Sequence, residues 1–150
     1  MHLSWHIRKW REITADELYK MLKLRINVFV VEQNCPYPEC DDKDQKSIHL
    51  FAQDETGEVH AYLRIVSAGI SYQEISIGRV ASSAALRGTG LGKELMMQGL
   101  SFIEEQYGNV PVRISAQLYL RKFYESFGFI VQGETYLEDD IPHIEMTVQL

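Results

Sequence analysis

The chain has 150 residues, 45% of them hydrophobic and 24% charged, with a formal net charge of −6. That length and balance fit one globular domain with no linker, the acidity argues against binding nucleic acid on a basic face, and no apolar run approaches the ~20 residues of a membrane span. The opening residues lack the charged and apolar regions of a secretory signal, so the cytoplasm is the expected compartment, where Cys35 and Cys40 are expected as free thiols with no metal between them.

Residues Ser4 to Trp10 read as an opening strand. Thr14 followed three residues later by Glu17 is a capping box, and Ile13 with Leu18 can close a hydrophobic staple around it. From there Leu18, Met21, Leu22, Arg25, Val28 and Phe29 recur on one helical face. Arg25 is the polar exception on that face; it implies a ligand role or a structural ion pair, with Glu32 or an acid in the next loop. Two alternating strands follow, Ile48 to Gln53 and Val59 to Ser67, joined by the turn Asp54-Glu55-Thr56-Gly57. Ile75 to Ser82 reads as the next strand. A long helix, Leu91 to Tyr107, carries Leu91, Leu95, Met96, Phe102 and Ile103 toward the core and ends near Gly108. A strand from Val112 to Ala116 leads into a short helix in which Leu120, Phe123, Tyr124 and Phe127 share one face, with Gly128 suited to the left-handed position after it. Strands Phe129 to Gly133 and Ile144 to Gln149 close the chain. This order predicts a mixed α/β architecture, one sheet with helices on both faces.

Acidic residues are dense in two places: Glu32, Glu39, Asp41, Asp42 and Asp44, then Glu134, Glu138, Asp139 and Asp140. Such runs are usually solvated surface. Lining one cleft together, they would suit a cationic amine.

Between the strand ending at Ser82 and the long helix lies Leu86-Arg87-Gly88-Thr89-Gly90-Leu91-Gly92-Lys93-Glu94. Glycines at alternate positions admit positive φ and a close approach to the main chain. The loop opens into a helix N-terminus, where unpaired N–H groups and the positive dipole end favour anions. With Arg87 and Lys93 beside it, this is a phosphate cradle. It is neither a P-loop, which would need glycine at position 87 and a hydroxyl residue at 94, nor a dinucleotide fingerprint, whose third glycine would fall on Lys93. The remaining pattern, [Gln/Arg]-x-x-Gly-x-[Gly/Ala] read from Arg87 to Gly92, resembles the pyrophosphate loop of the GNAT superfamily, the N-acetyltransferases that use acetyl-CoA. The segment Tyr124-Glu125-Ser126-Phe127-Gly128-Phe129 resembles the family's Tyr-x-x-x-Gly-Phe helix ending. The string from Arg25 to Tyr37 (Arg-Ile-Asn-Val-Phe-Val-Val-Glu-Gln-Asn-Cys-Pro-Tyr) and the ending Ile141-Pro142-His143-Ile144-Glu145-Met146 resemble the ElaA-like subgroup, so that the likeness spans nearly the whole chain.

The resemblance implies a mostly antiparallel sheet of six to seven strands, in which the strands ending near Ser82 and Ala116 splay apart to admit the thioester arm. It implies that backbone N–H groups of Gly88, Thr89, Gly90, Leu91, Gly92 and Lys93, with Arg87, hold the pyrophosphate of acetyl-CoA. Val80, Ala81 and Ser82 would pair with the pantetheine amides, a main-chain N–H of Val80 or Ala81 would polarise the thioester carbonyl, and Tyr124 would give the departing thiolate its proton. Gln117 stands where the family often has Asn contacting CoA. The amine acceptor must lose a proton, and Glu32, His49, Glu74 and His143 are the candidate acceptors of it; the sequence does not choose among them. A homodimer is implied by resemblance alone. A non-catalytic acyl-CoA-binding or regulatory module, and acyl-homoserine lactone synthesis, are the alternatives.

Overall fold

A computed structural model describes residues 1–150. Strands β1 (Ser4–Lys9), β2 (Ser47–Gln53), β3 (Val59–Val66), β4 (Ile75–Ser82), β5 (Pro111–Gln117), β6 (Ile130–Glu138) and β7 (Ile141–Gln149) alternate with helices α1 (Ala15–Ile26), α2 (Leu91–Tyr107) and α3 (Arg121–Glu125). The strands form one sheet in the order β1-β2-β3-β4-β5-β7-β6. Neighbours are antiparallel throughout except β4 and β5, which run parallel. That parallel pair touches only at Ile75–Val112 and Ser76–Arg113. Beyond those residues the two strands diverge, and the split between Ser82 and Gln117 is the structural origin of the cleft.

Alternation along β3 decides what covers each face. Leu63 and Ile65 join Leu91, Leu95, Met96 and Ile103 of α2 in the larger core, whereas Tyr62 joins Met21, Leu24 and Val28 from the α1 side in the smaller one. Helix α2 lies so close to β3 that a Cβ on Gly99 would come within 2.9 Å of Leu63 Cδ2. The Thr14–Glu17 capping box is present, with Glu17 N donating to Thr14 Oγ1 at 3.1 Å and Thr14 N donating to Glu17 Oε1 at 3.0 Å.

The structure departs from the sequence expectations in two places. After Ile26 the helix widens into a π-helical turn, Asn27–Glu32, so Val28 stays buried while Glu32 swings outward. The last two strands are also longer than the periodicity suggests. Gly133, at φ 82°, makes an irregularity in β6 where the register against β7 shifts, and the apparent break there conceals a continuing strand. The hairpin turns on Asp139 and Asp140, at φ 51° and 61°, the paired positive φ of a two-residue type I′ connection. The second acidic run is therefore a strand and its turn.

Candidate active site

None of the backbone N–H groups from Gly88 to Lys93 donates a hydrogen bond within the protein. The loop is exposed, and a Cβ on Gly88 or Gly90 would have no atom within 4 Å. Gly88 and Gly90 hold φ of 80° and 86°, the left-handed geometry that turns successive amides toward one side of the chain. Thr89 contributes backbone only: its hydroxyl donates to Leu86 O at 2.6 Å, bracing the turn. Arg87 is anchored, donating to Ser82 O at 2.9 Å and pairing with Glu32 Oε2 at 2.6 Å. Lys93 has no ion-pair partner. The array is open, cationic at its rim and rich in free donors, which fits a diphosphate.

The cradle opens into a cleft of about 1030 Å³ that follows the split between β4 and β5. Along its β4 wall lie Val80, Ala81 and Ser82. Here β4 is bulged: Tyr62 pairs with Ala81 but Arg64 with Gly78, leaving extra residues on β4 opposite Leu63. Arg79, within the bulge, adopts φ 53°. Left-handed geometry is costly for a side-chain-bearing residue, and a surrounding structure must hold it. Glu39 does so, its Oε2 accepting from Arg79 Nε at 2.6 Å and from Arg25 Nε at 2.8 Å.

That contact belongs to a buried lattice of charge. Asp44 Oδ1 accepts from Arg25 Nη1 at 2.9 Å and from Arg64 Nη1 at 3.0 Å, and Asp41 closes a two-point pair with Arg64. Burial alone would raise both aspartates, yet the hydrogen bonds and charges of Arg25 and Arg64 hold Asp44 below the ordinary carboxylate range, and Arg64 holds Asp41 well below it. Arg25, 1% exposed, is thus the ion-pairing residue its position implies, with Glu39 and Asp44 and not Glu32 as partners. His49 is part of this lattice and not of the cleft, a correction to its candidacy as a catalytic base. It is 1% exposed, and its ring nitrogens meet the Tyr62 hydroxyl at 2.7 Å and Asp44 O at 2.9 Å. Burial, with the nearby Arg25 and Arg64 charges, pushes its pKa down and keeps the ring neutral. Glu74 likewise lies outside the cleft lining, paired with Arg113 at 3.1 Å.

On the opposite wall, Tyr124 borders the cleft with its hydroxyl unbonded to any protein group. Burial pushes the phenol well above its ordinary range, so it is protonated at neutral pH. Gln117 also lines the cleft, but its amide is engaged with Gln33: each NH2 donates to the other's carbonyl, at 3.1 and 3.2 Å. His143 is buried at the cleft wall, stacked on Tyr136. Its Nδ1 donates to Ile141 O at 2.6 Å, which leaves Nε2 with the lone pair in the neutral ring. Glu32 and His143 thus both line the cleft, Glu32 held to the cradle's Arg87 and His143 beside Glu138.

Sequence reasoning named neither the Arg64 and Arg79 contributions nor Ser115 and Tyr136 beside His143, and it placed Glu138 only within an acidic run. The lattice joins residues far apart in the chain and leaves no local signature. The second group had one: Asp139-Asp140, a two-residue turn dipeptide, flanked by alternating residues on both sides.

A profile of the acetyltransferase (GNAT) domain matches residues 15–150. The chain is 40% identical to protein ElaA of Escherichia coli (strain K12) over 146 residues, covering 96% of this chain and 95% of that one. The crystal structure of E. coli ElaA superimposes with a TM-score of 0.90 at 39% identity, over 97% of this chain and 99% of that one. A solved acyl-CoA N-acyltransferase from Pseudomonas aeruginosa is similar at a TM-score of 0.92 and 44% identity, over 97% and 99% of the two chains.

Proposed function

The chain belongs to the GNAT acetyltransferase family, in its ElaA-like subgroup, and from that premise we infer that it transfers an acetyl group from acetyl-CoA directly to an amine. Family membership supports acyl-CoA-dependent N-acyltransfer; the acetyl donor and the amine acceptor are this reading's own. The observation that carries it is the row of N–H groups from Gly88 to Lys93 that no protein group accepts from, in a loop open around Gly88 and Gly90.

In this reading those amides and Arg87 hold the pyrophosphate. Hydrogen bonds to a charged group are worth roughly 1.5–3 kcal/mol each, so a few of them dominate the affinity. Val80, Ala81 and Ser82 lie along the thioester arm, and an N–H of Val80 or Ala81 polarises the carbonyl. Bulges recur next to active sites because they re-aim such groups, which gives the Arg79 geometry its purpose. Gln117 reaches the arm only by giving up Gln33.

The proton balance assigns the remaining groups. An ammonium acceptor carries three protons and the amide product one. His143 takes the first at Nε2, with Glu32 the other cleft carboxylate available for it, and passes it to solvent. The freed amine forms the C–N bond as the C–S bond breaks. Tyr124 gives its phenolic proton to the departing thiolate and recovers one from the acetylated nitrogen.

Thermal unfolding with and without acetyl-CoA tests the reading. Saturating acetyl-CoA raises the melting temperature, and Gly90→Glu, which fills the cradle with bulk and negative charge, abolishes most of the rise. An unshifted melting curve for the unaltered protein overturns the transferase assignment.

A further inference from the structure

The exposed half of the sheet is two-faced. On β5 and β7, Ile114 pairs with Met146 and Ala116 with Ile144, all buried in the core. The intervening pairs, Ser115 with Glu145 and Gln117 with His143, carry their side chains to the other face, and Tyr136 of β6 joins them opposite His143. Helix α1 packs on β3 and β4 of that face. The polar face of β5, β7 and β6 therefore forms the far end of the cleft, where Tyr72, Ser115, Glu138 and His143 are brought to one wall.

The charges there are unbalanced. Elsewhere in the cleft each carboxylate has an arginine: Glu32 has Arg87, Glu39 has Arg25 and Arg79, and Asp41 has Arg64. Glu138 has none. Its Oε1 accepts from Ser115 Oγ at 3.3 Å and its Oε2 lies 3.4 Å from His143 Nε2, both long contacts, with the side chain 48% exposed. Asp139 adds a second carboxylate, while its carbonyl is taken by the Cys35 thiol at 3.1 Å. Of the nearby cations, Arg113 is shared between Glu74 and Glu145, and Lys43 donates to Ser71 Oγ at 3.0 Å. The Tyr136 hydroxyl bonds Ser115 while its ring stacks on His143, and Arg113 lies over the Tyr72 ring, 5.9 Å from its centroid.

We propose that Glu138, on the cleft wall with Ser115 and His143, is the specificity-determining residue of the acceptor site and binds a primary alkylammonium group. A carboxylate supplies the charge-assisted hydrogen bond, and no arginine competes for it. An alkylammonium held at Glu138 Oε2 places its nitrogen next to His143 Nε2, the atom to which it gives up its proton. The inference rests on the transferase reading for its meaning but on its own geometry for its existence.

Ligand-observed NMR tests it with n-butylamine and spermidine as probes and n-butanol as the uncharged counterpart, on the full chain with and without saturating CoA. Both amines bind, n-butanol does not displace them, and added salt weakens them. Glu138→Gln, a substitution at a half-exposed side chain, weakens the amines roughly tenfold or more. In thiol-release kinetics, Glu138→Gln raises KM for an accepted amine far more than it lowers kcat. Equal binding of n-butanol, unchanged amine binding in Glu138→Gln, or no amine binding at all overturns the proposal. Amine binding that depends on Glu138 in a protein that fails to bind acetyl-CoA leaves the pocket standing and removes the transferase reading instead.

Discussion

At the scale of single residues, Tyr124 is the side chain whose chemistry the fold constrains most. It sits 6% exposed in an aromatic cluster with Phe123 and Phe129, and burial holds its phenol protonated. A packing residue and a proton donor make different demands, and Phe satisfies only the first. Tyr124→Phe therefore leaves unfolding and acetyl-CoA affinity nearly unchanged while kcat falls about a hundredfold, within the range for loss of a general acid. Steady-state thiol release beside a direct titration of acetyl-CoA separates the two, and an unaltered kcat removes Tyr124 from the chemistry. The cradle glycines divide by backbone geometry. Gly88 stands at φ 80° with open space around it, so Gly88→Ala meets only conformational strain, about 1 kcal/mol of destabilisation. Gly92 has helical geometry, and its added methyl meets Phe123 Cζ at an ordinary 3.7 Å; Gly92→Ala gains about 0.5 kcal/mol. Urea midpoints shifting in opposite directions bear this out; a shared direction refutes it.

Among the elements, β4 carries the most consequence per residue. Its first two residues stitch the halves of the sheet together, its last three line the cleft, and its bulge lies between. The bulge is held from outside by Glu39, itself on the loop after the π-helical turn. Glu39→Ala leaves Arg25, 1% exposed, short of a partner and releases Arg79, so a loss of about 3 kcal/mol is expected in equilibrium urea unfolding. A loss under about 1 kcal/mol would show the pair to be no more than a surface contact. What the sequence discloses follows the same division. Local chemistry is legible: the Thr14 cap, the Asp54–Gly57 turn, strand Ile75–Ser82 and helix Leu91–Tyr107 are read directly from periodicity and caps. The glycine loop is legible because its glycines mark positive φ, found at Gly88 and Gly90. Gly133 misleads, since a bulge and a strand end use the same residue for the same reason. Arg25 announces that it needs a partner but not which, because Glu39 and Asp44 are chosen by the path of a loop. His49 shows the limit of residue type: one histidine reads alike as base or as buried scaffold until its neighbours are known.

For the molecule as a whole, the buried lattice turns stability into a function of pH. Asp41 and Asp44 have pKa values below their unfolded values, and His49 is depressed as well, by burial first and then by Arg25 and Arg64. In each case the unfolded chain takes up protons at a higher pH than the folded chain does. Stability therefore rises with pH across each window, and the contribution of each group is lost as pH falls. His49 acts first, from about pH 6.5 downward, because unfolding frees a ring that can then be protonated. The aspartates follow below about pH 4, where the unfolded carboxylates protonate while the folded ones are still held ionised by arginine. Urea unfolding between pH 8 and pH 3 should thus show a shallow decline followed by a steep one. His49→Gln flattens the first stage and leaves the second intact, whatever it costs in absolute stability. A decline that begins only below about pH 4 in the unaltered protein would mean that folding does not depress the His49 pKa. The cleft is coupled to this behaviour: Arg79 and Glu39 join the lattice to the β4 bulge, so acid that loosens the lattice also loosens the wall along which acetyl-CoA is expected to lie. Acetyl-CoA binding should therefore weaken on acidification before the protein unfolds, and faster than protonation of its phosphates alone accounts for.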